Sequence, residues 1–516
     1  MKLANRRIRL VLAIFAFAFV AMFVRAAWLQ GIRAGNYERL AAGQHRATIV
    51  DPAGRGTIFD RTGVQLAIAR QATTVYANPR QIRDPEATAS IVARALRLDP
   101  EKVQLQLSDR SRGFVYIARK ADSERAAILK RAGIVGLGFT SEEQRVYPLG
   151  HVAAQVVGYA GTDNHGLAGL ELGLDKELAG KPGSETVTRD PSGRAIDVLR
   201  STEARAGQDV TLTIDNRIQG QAEAVLRKTI DQWHAKGASA VVLDPRTGSV
   251  LAMAVERGYD ANLFPIVPRD RQRNRTITDT YEPGSTFKIV TVSAVLSEGL
   301  VTPRSAFTLP YEIHVADRVI RDAHPRGTER LTVDQILSYS SNVGTITLAQ
   351  LLGTERLSEW ISRFGFGHKT GIDFPGESQG IVPPLERWSG STIGTLPIGH
   401  GIAITPVQMA AAYGTVANGG VWRRPHLVER MGSDRPAESS RRVLTPRVAH
   451  QVLRMMEDVV IEGTGQEAQL PGYKVAGKTG TAAKPDPDGG YSTSRYVASF
   501  VGMVPASSPR LVIVVT

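Results

Sequence analysis

Tyr281-Glu282-Pro283-Gly284-Ser285-Thr286-Phe287-Lys288 is the stretch on which the reading of this chain turns. Pro283-Gly284 breaks the chain, and from Ser285 an apolar run with helical spacing continues to Val295. Residues three apart share a helix face, so Lys288 reaches the Ser285 hydroxyl. The N-terminus of a helix favours negative charge developing on that oxygen. A serine is a weak nucleophile until a base takes its proton. A lysine kept neutral by burial and by neighbouring cations is such a base. S-x-x-K occurs once here, yet a chain of this length yields on the order of one by chance, so the pair needs company.

Two further elements supply it. Ser340-Ser341-Asn342, within residues 335–350, is the only S-x-N in the chain. A hydroxyl there can relay a proton between base and leaving group, and the Asn342 amide can hold a substrate carbonyl or amide. Taken alone, the same three residues read more readily as a helix cap. K-T-G occurs twice. Lys369-Thr370-Gly371 lies among Gly365, Gly367, Pro375 and Gly376, which is turn chemistry and predicts a surface loop. Lys478-Thr479-Gly480-Thr481 follows a strand-like approach at 473–477, and its cation and hydroxyls suit a carboxylate. Small residues let a ligand lie against such a strand. The second copy is therefore assigned to the site and Lys369 to structure. The three elements, in this order over about 200 residues, form the set known for penicillin-binding proteins and serine β-lactamases.

Around the motifs, residues 209–214 read as strand, 216–233 as helix, and 238–243 and 249–254 as strands joined by the tight turn 244–248. Strand-like stretches recur at 473–476, 496–504 and 510–516, after a long helical region. Two early strands meeting three late ones predict one antiparallel sheet covered by helices. Residues 51–210 show short apolar runs broken by Gly, Pro and Asp, with helical spacing at 85–98 and 122–132, and read as an α+β module.

At the N-terminus, Lys2, Arg6, Arg7 and Arg9 precede an apolar stretch over 10–29 interrupted only by Arg25. That is about the 20 residues a spanning helix needs. The positive residues place 1–9 in the cytoplasm and the body outside. A cleaved signal peptide is the competing reading; it lacks an A-x-A site, and an uncleaved single-pass anchor is preferred. Residues 31–50 are expected to leave the membrane as helix.

The composition narrows the class. Among 516 residues there is no Cys, which excludes a disulfide framework, thiolate catalysis, zinc ribbons and Fe–S ligation. The formal net charge is +13, but only 13 of the 63 basic residues are Lys, and the Arg are spread along the whole chain. No nucleic-acid motif accompanies the charge, and no nucleic-acid partner is expected. The reading calls for no cofactor and no metal.

Beyond the triplet, the chain resembles the class B penicillin-binding proteins, and among them the division-type peptidoglycan D,D-transpeptidases. Arg55-Gly56-Thr57-Ile58-Phe59-Asp60-Arg61-Thr62-Gly63 is similar to the R-G-x-I-x-D-R-x-G signature of the family's non-catalytic pedestal. Arg145-Val146-Tyr147-Pro148 is similar to its R-x-Y-P element, and Gly166-Leu167-Ala168-Gly169-Leu170-Glu171 to its G-x-x-G-x-E element. Arg273-Asn274-Arg275 together with Glu282-Pro283-Gly284-Ser285 resembles the division-type approach to the nucleophile. The resemblance implies a transmembrane anchor (10–29) behind a cytoplasmic tail (1–9), an α+β pedestal of the dimerisation type (30–209), and a transpeptidase domain (210–516). That last domain would be of the penicillin-binding and serine β-lactamase type, an α/β fold with a five-stranded antiparallel sheet flanked by helices.

The resemblance also implies roles. Ser285 would be acylated by the penultimate D-Ala of a stem pentapeptide, with Lys288 as base, Ser340 as proton shuttle and Asn342 orienting the substrate amide. Lys478, Thr479, Gly480 and Thr481 would bind the substrate, and the backbone N–H groups of Ser285 and Thr481 would form the oxyanion hole. An amino group of a neighbouring stem would resolve the acyl-enzyme into a cross-link, and β-lactams would acylate the same serine. Implied partners are the membrane, a polytopic glycan polymerase and other division proteins; the implied location is the inner membrane at the septum, with the catalytic domain periplasmic. Three alternatives remain: a D,D-carboxypeptidase or β-lactamase-type hydrolase, an elongation-type transpeptidase, and a catalytically idle sensor or scaffold. The chain stops at Leu511-Val512-Ile513-Val514-Val515-Thr516, where family members continue into a C-terminal helix. A truncated end is therefore expected.

Overall fold

The computed structural model describes residues 2–33, 35, 46–189, 195–486 and 489–516. It opens on a helix, Lys2–Ala27, continued by a wider turn over Trp28–Ile32. Residues Arg6–Gly31 are long and apolar enough to cross a membrane, and none of that window is buried against the rest of the chain. The helical exit expected over 31–50 is corrected in part. Residues 34 and 36–45 lie outside the described residues, but Arg46–Asp51 is a strand. It pairs antiparallel with Gly183–Arg189, which pairs in turn with Ala195–Thr202. Thr48, Ile49 and Val50 are β-branched and fit a pleated ladder, a preference that outweighed the polar character of the stretch.

Two compact units are present. One joins Met1–Gly54 to Gly180–Gly207; the other joins Arg55–Ala179 to Gln208–Thr516. Within the second, the three pedestal elements singled out in the sequence converge on one carboxylate. Arg55 Nε donates to Glu171 Oε2 at 2.7 Å, and Arg145 Nε donates to Glu171 Oε1 at 2.6 Å. Arg55 also reaches Asp175 at 2.7 Å. The Glu171 side chain is 0% exposed and those of Arg55 and Arg145 are 1% and 2% exposed, so each charge depends on the others for compensation. The Asp60 carboxylate accepts from the Thr62 hydroxyl, the Val64 N–H and the Asn216 N–H. It thereby ties the R-G-x-I-x-D turn to the start of the helix Asn216–Trp233.

The expected helices are present with sharper ends. Pro85–Leu96 is capped by Asp84 and closed by Arg97 in the left-handed conformation, two residues short of the predicted end. Ser123–Ala132 is capped by Asp122 and closed by Gly133.

In the C-terminal part of the second unit, strands β1 (Ala238–Leu243), β2 (Val250–Glu256), β3 (Ala476–Pro485), β4 (Tyr491–Val504) and β5 (Leu511–Val515) form a single sheet in the order β2-β1-β5-β4-β3, antiparallel throughout. Helix α1 (Asn216–Trp233) covers one face, where Ile218 meets Val242, Leu251, Leu511 and Ile513. On the other face Val512 and Val514 are fully buried in the main core, which also takes in helices α2 (Lys288–Ser297), α3 (Val333–Ser338), α4 (Asn342–Leu352), α5 (Pro406–Ala417) and α6 (Pro446–Ile461). α2 is the inner helix of this layer, buried on all sides from Lys288 to Leu296. The strand expected at 473–476 is displaced: it starts at Ala476, so the second K-T-G lies inside the edge strand rather than after it. Tyr473 and Lys474 are exposed outside it.

Candidate active site

Ser285 sits on a 3-10 turn, Gly284–Phe287, that runs directly into α2. Side chains three apart eclipse one another in that geometry, so Ser285 and Lys288 leave the turn on the same side. Ser285 is half-buried; Lys288 is completely buried. The turn is clamped by backbone. Gly284 is left-handed at φ 56°, and a Cβ there would come within 2.7 Å of the Thr481 carbonyl oxygen. Gly480 is equally constrained, since a Cβ would lie 2.5 Å from Ser499 Oγ and 2.7 Å from the Pro283 carbonyl oxygen. These close approaches hold the K-T-G strand against the nucleophile turn, and they explain glycine at an otherwise unfavourable strand position.

The S-x-N element falls in the break between α3 and α4. Ser341 caps α4, accepting from Gly344 N at 2.9 Å, while its hydroxyl donates to Asp322 at 3.0 Å. Ser340, forced left-handed at φ 61°, is released from the helix and turns to the lysines. Its Oγ lies 2.9 Å from Lys478 Nζ and 3.2 Å from Lys288 Nζ. Lys288 Nζ also donates to the Ser340 carbonyl oxygen and, at 2.8 Å, to Asn342 Oδ1. Asn342 Nδ2 donates to the Arg321 carbonyl oxygen at 2.9 Å and has a second N–H. The capping and the chemical readings of Ser-Ser-Asn are therefore both right, for different residues of the three.

Lys478 is completely buried, whereas Thr479 is half-buried and Thr481 exposed. Thr479 Oγ1 meets Thr464 Oγ1 at 2.7 Å. Burial, and then the neighbouring Lys478 charge, hold the Lys288 ammonium well below the usual lysine range, with Asp322 acting the other way. Burial alone brings Lys478 down to about 7. Two lysines flanking one hydroxyl, both displaced toward neutrality, are equipped to move a proton.

Residues 238–516 match the family described as "Penicillin binding protein transpeptidase domain", and residues 50–212 match the "Penicillin-binding Protein dimerisation domain". The chain belongs to the class B penicillin-binding proteins. It is 34% identical over 512 residues to the "Peptidoglycan D,D-transpeptidase FtsI" of Escherichia coli, covering 96% of this chain and 84% of that protein. It is 36% identical to the "Penicillin-binding protein PbpB" of Mycobacterium tuberculosis over 96% of this chain and 79% of that one. The crystal structure of penicillin binding protein 3 from Mycobacterium tuberculosis complexed with ampicillin matches with a TM-score of 0.71 at 33% identity, covering 90% of this chain and 89% of that one.

In this penicillin-binding protein the first K-T-G is a structural turn. Lys369 is exposed, and Thr370 is buried with its N–H on Glu377 at 2.6 Å. The Gly371 N–H takes the other oxygen of Glu377 at 3.1 Å. Asp373 then accepts from the Leu427 and Val428 N–H groups. Three participants escape sequence reasoning. Asp322 secures the start of α4 through Ser341 Oγ and the Val343 N–H; its only signal is a lone acid in the arginine-rich run Arg318–Arg326. Thr464 carries no motif. Glu282 stands in the quoted approach to the nucleophile, but its three donors come from a loop at His400 and Gly401 and from Tyr491 at the start of β4, far away in sequence. A separate cleft of about 390 Å³, lined by His151, Arg227, Asp231 and Glu256 among others, contains none of the motif residues. Among the described residues no group of three His, Asp or Glu is placed to hold a metal ion.

Proposed function

We propose that the chain is a serine-type peptidoglycan D,D-transpeptidase that cross-links stem peptides of the septal wall through an acyl-enzyme on Ser285. The observation that carries the reading is the Ser340 hydroxyl held between Lys478 Nζ and Lys288 Nζ, beside the turn that presents Ser285. Neutral Lys288 takes the Ser285 proton as Oγ attacks the carbonyl carbon of the penultimate D-Ala. The oxyanion forms against the N–H groups of Ser285 and Thr481. Ser340 Oγ–H passes a proton to the departing D-Ala amine and is resupplied by the lysines, which leaves the peptide as an ester on Ser285. Asn342 orients the substrate amide with its second N–H.

Support for carboxylate binding comes from the Thr479 and Thr481 hydroxyls on the open strand edge, with Lys478 close behind them. A bound carboxylate favours the charged form of Lys478. The Lys478 charge in turn depresses Lys288, so a correctly placed substrate holds more of Lys288 in the neutral form that can accept the Ser285 proton. A free amine of a second stem then attacks the ester carbonyl, and its proton passes through Lys288 to the departing Ser285 Oγ, which completes the cross-link and restores the serine. β-Lactams enter by the same first step. A pentapeptide stem donor supplied with an amine acceptor is expected to release D-Ala and give the amide-linked product. Release of D-Ala with only the hydrolysed tetrapeptide would make the enzyme a carboxypeptidase.

The anchor is proposed to span once with residues 1–9 in the cytoplasm and the body outside, because Lys2, Arg6, Arg7 and Arg9 precede the apolar helix. A phosphatase fused after Thr516 is expected to be active on the outer side; activity confined to the cytoplasm reverses the topology. The same helix is the proposed contact for a polytopic glycan polymerase. Exchange for an unrelated apolar helix should keep the topology and lose that partner in a pull-down from membranes; an undiminished pull-down would place the contact elsewhere.

A further inference from the structure

Glu282, three residues before Ser285, is the meeting point of three segments distant in sequence. Its Oε1 accepts from the Gly401 N–H at 3.0 Å and from the Tyr491 hydroxyl at 3.0 Å. Its Oε2 lies 2.9 Å from His400 Nδ1. A carboxylate only accepts, so Nδ1 carries the hydrogen and the imidazole is fixed in one tautomer. The Glu282 and His400 side chains are 13% and 28% exposed, and the Tyr491 ring meets the His400 ring edge-on at 5.4 Å. Burial, and then the Glu282 charge, push the Tyr491 hydroxyl up to about 12, which keeps it a donor.

Each segment matters to the site. Residues 281–284 run beside 399–404, with Gly284 N donating to Gly399 O at 3.1 Å and Tyr281 and Ile404 exchanging both backbone bonds. Tyr491 opens β4 opposite Pro485, at the end of the hairpin whose other strand carries Lys478-Thr479-Gly480-Thr481. The nucleophile turn is thus tied through a single carboxylate to both the loop beneath it and the strand facing it. Nothing in the acyl-transfer chemistry requires Glu282, and no motif includes His400 or Tyr491.

We propose that Glu282, held by His400 and Tyr491, is a positioning residue for acylation: it sets the turn carrying Ser285 relative to the K-T-G strand. The inference rests on the acyl-enzyme reading above. A misplaced turn leaves ligand recognition by the Thr479 and Thr481 hydroxyls intact while moving Ser285 off line, so the acylation step suffers and the preceding binding step does not.

The test is the acylation of the full-length, detergent-solubilised protein by a chromogenic cephalosporin, resolved into the binding constant Ks and the acylation rate k2. Glu282→Gln, which keeps size and loses charge, is expected to lower k2 about tenfold or more, the scale of a charge-assisted hydrogen bond, with Ks within about twofold. His400→Leu should act in the same direction. His400→Asn, which restores a donor near Nδ1, should recover most of the rate. Tyr491→Phe, at an exposed edge, provides a variant that removes one donor without burying anything new. Unchanged k2 in Glu282→Gln and Tyr491→Phe overturns the proposal. So does a joint fall in k2, Ks affinity and melting temperature with no recovery in His400→Asn, since that marks a merely structural cluster. Ser285→Ala separates the two levels. If it still acylates, the acyl-enzyme reading fails; if it does not while Glu282→Gln reacts normally, only the positioning role fails.

Discussion

Ser285→Ala is expected to abolish covalent labelling by a fluorescent penicillin and to leave the protein folded and in the membrane. The label is an ester to Oγ, and no other serine in the chain has a lysine three residues on. Lys288 Nζ spends its hydrogen bonds on Ser340 and Asn342 rather than on Ser285, so removing the half-buried hydroxyl leaves no buried donor or acceptor unpaired. The stability change should stay within about 0.5 kcal/mol, as for substitutions that create neither cavity nor orphaned polar group. The measurement is gel fluorescence after penicillin exposure, with melting followed in parallel. Labelling that survives the substitution removes Ser285 as nucleophile.

The two K-T-G lysines should separate by orders of magnitude. Lys478→Ala is expected to slow acylation about a thousandfold, the scale of losing one electrostatic partner at a reacting centre. Lys369→Ala should stay within about twofold, because Lys369 is exposed and its neighbours are held by Glu377 without it. Exchanged effects would reverse the assignment of the two copies.

Lys478 carries a stability signature as well. An ordinary lysine titrates near 10.4 in the unfolded chain, whereas burial brings Lys478 to about 7 in the fold. The fold therefore disfavours the charged form. The resulting penalty is complete below about pH 7, shrinks as pH rises toward 10.4 and is absent above it. Lys478→Met, which keeps the volume and removes the charge, should melt several degrees above the parent at pH 6. That advantage should fade in alkaline buffer even though the variant is inactive throughout. A variant that melts lower than the parent at pH 6 would mean that the bond to Ser340 outweighs the cost of burial.

Several elements were legible in the sequence because their determinants are local. Asn216–Trp233 and Ala238–Leu243 have the predicted bounds, since helical apolar spacing after a capping Asp215, and a run of small and β-branched residues before the Asp244–Gly248 turn, need no tertiary help. The resemblance pointed to the five-stranded sheet, and the strand count agreed with it. Two elements were misplaced. Arg46–Asp51 became a strand because Gly183–Arg189, some 140 residues later, offers it an edge. The K-T-G strand was read as ending before the motif because Gly477 and Gly480 are poor strand formers; what makes glycine necessary there is a carbonyl of Pro283 and the side chains of Ser499 and Phe500.

By itself the sequence determined which groups could do the chemistry: one S-x-x-K, one S-x-N, two copies of K-T-G, an anchor, and a pedestal whose Arg55, Arg145 and Glu171 now share a buried ion pair. Those are properties of residue type and spacing, which survive without a fold. Only the tertiary structure decided which K-T-G faces Ser340, that Ser341 caps α4 while Ser340 turns to the lysines, and that Glu282 is bound by His400 and Tyr491. Each of these depends on distances of about 3 Å between residues as much as 209 positions apart. Each also depends on burial deep enough to displace a lysine's proton affinity, and both are set by how helices and sheet close on one another rather than by any local run of residues.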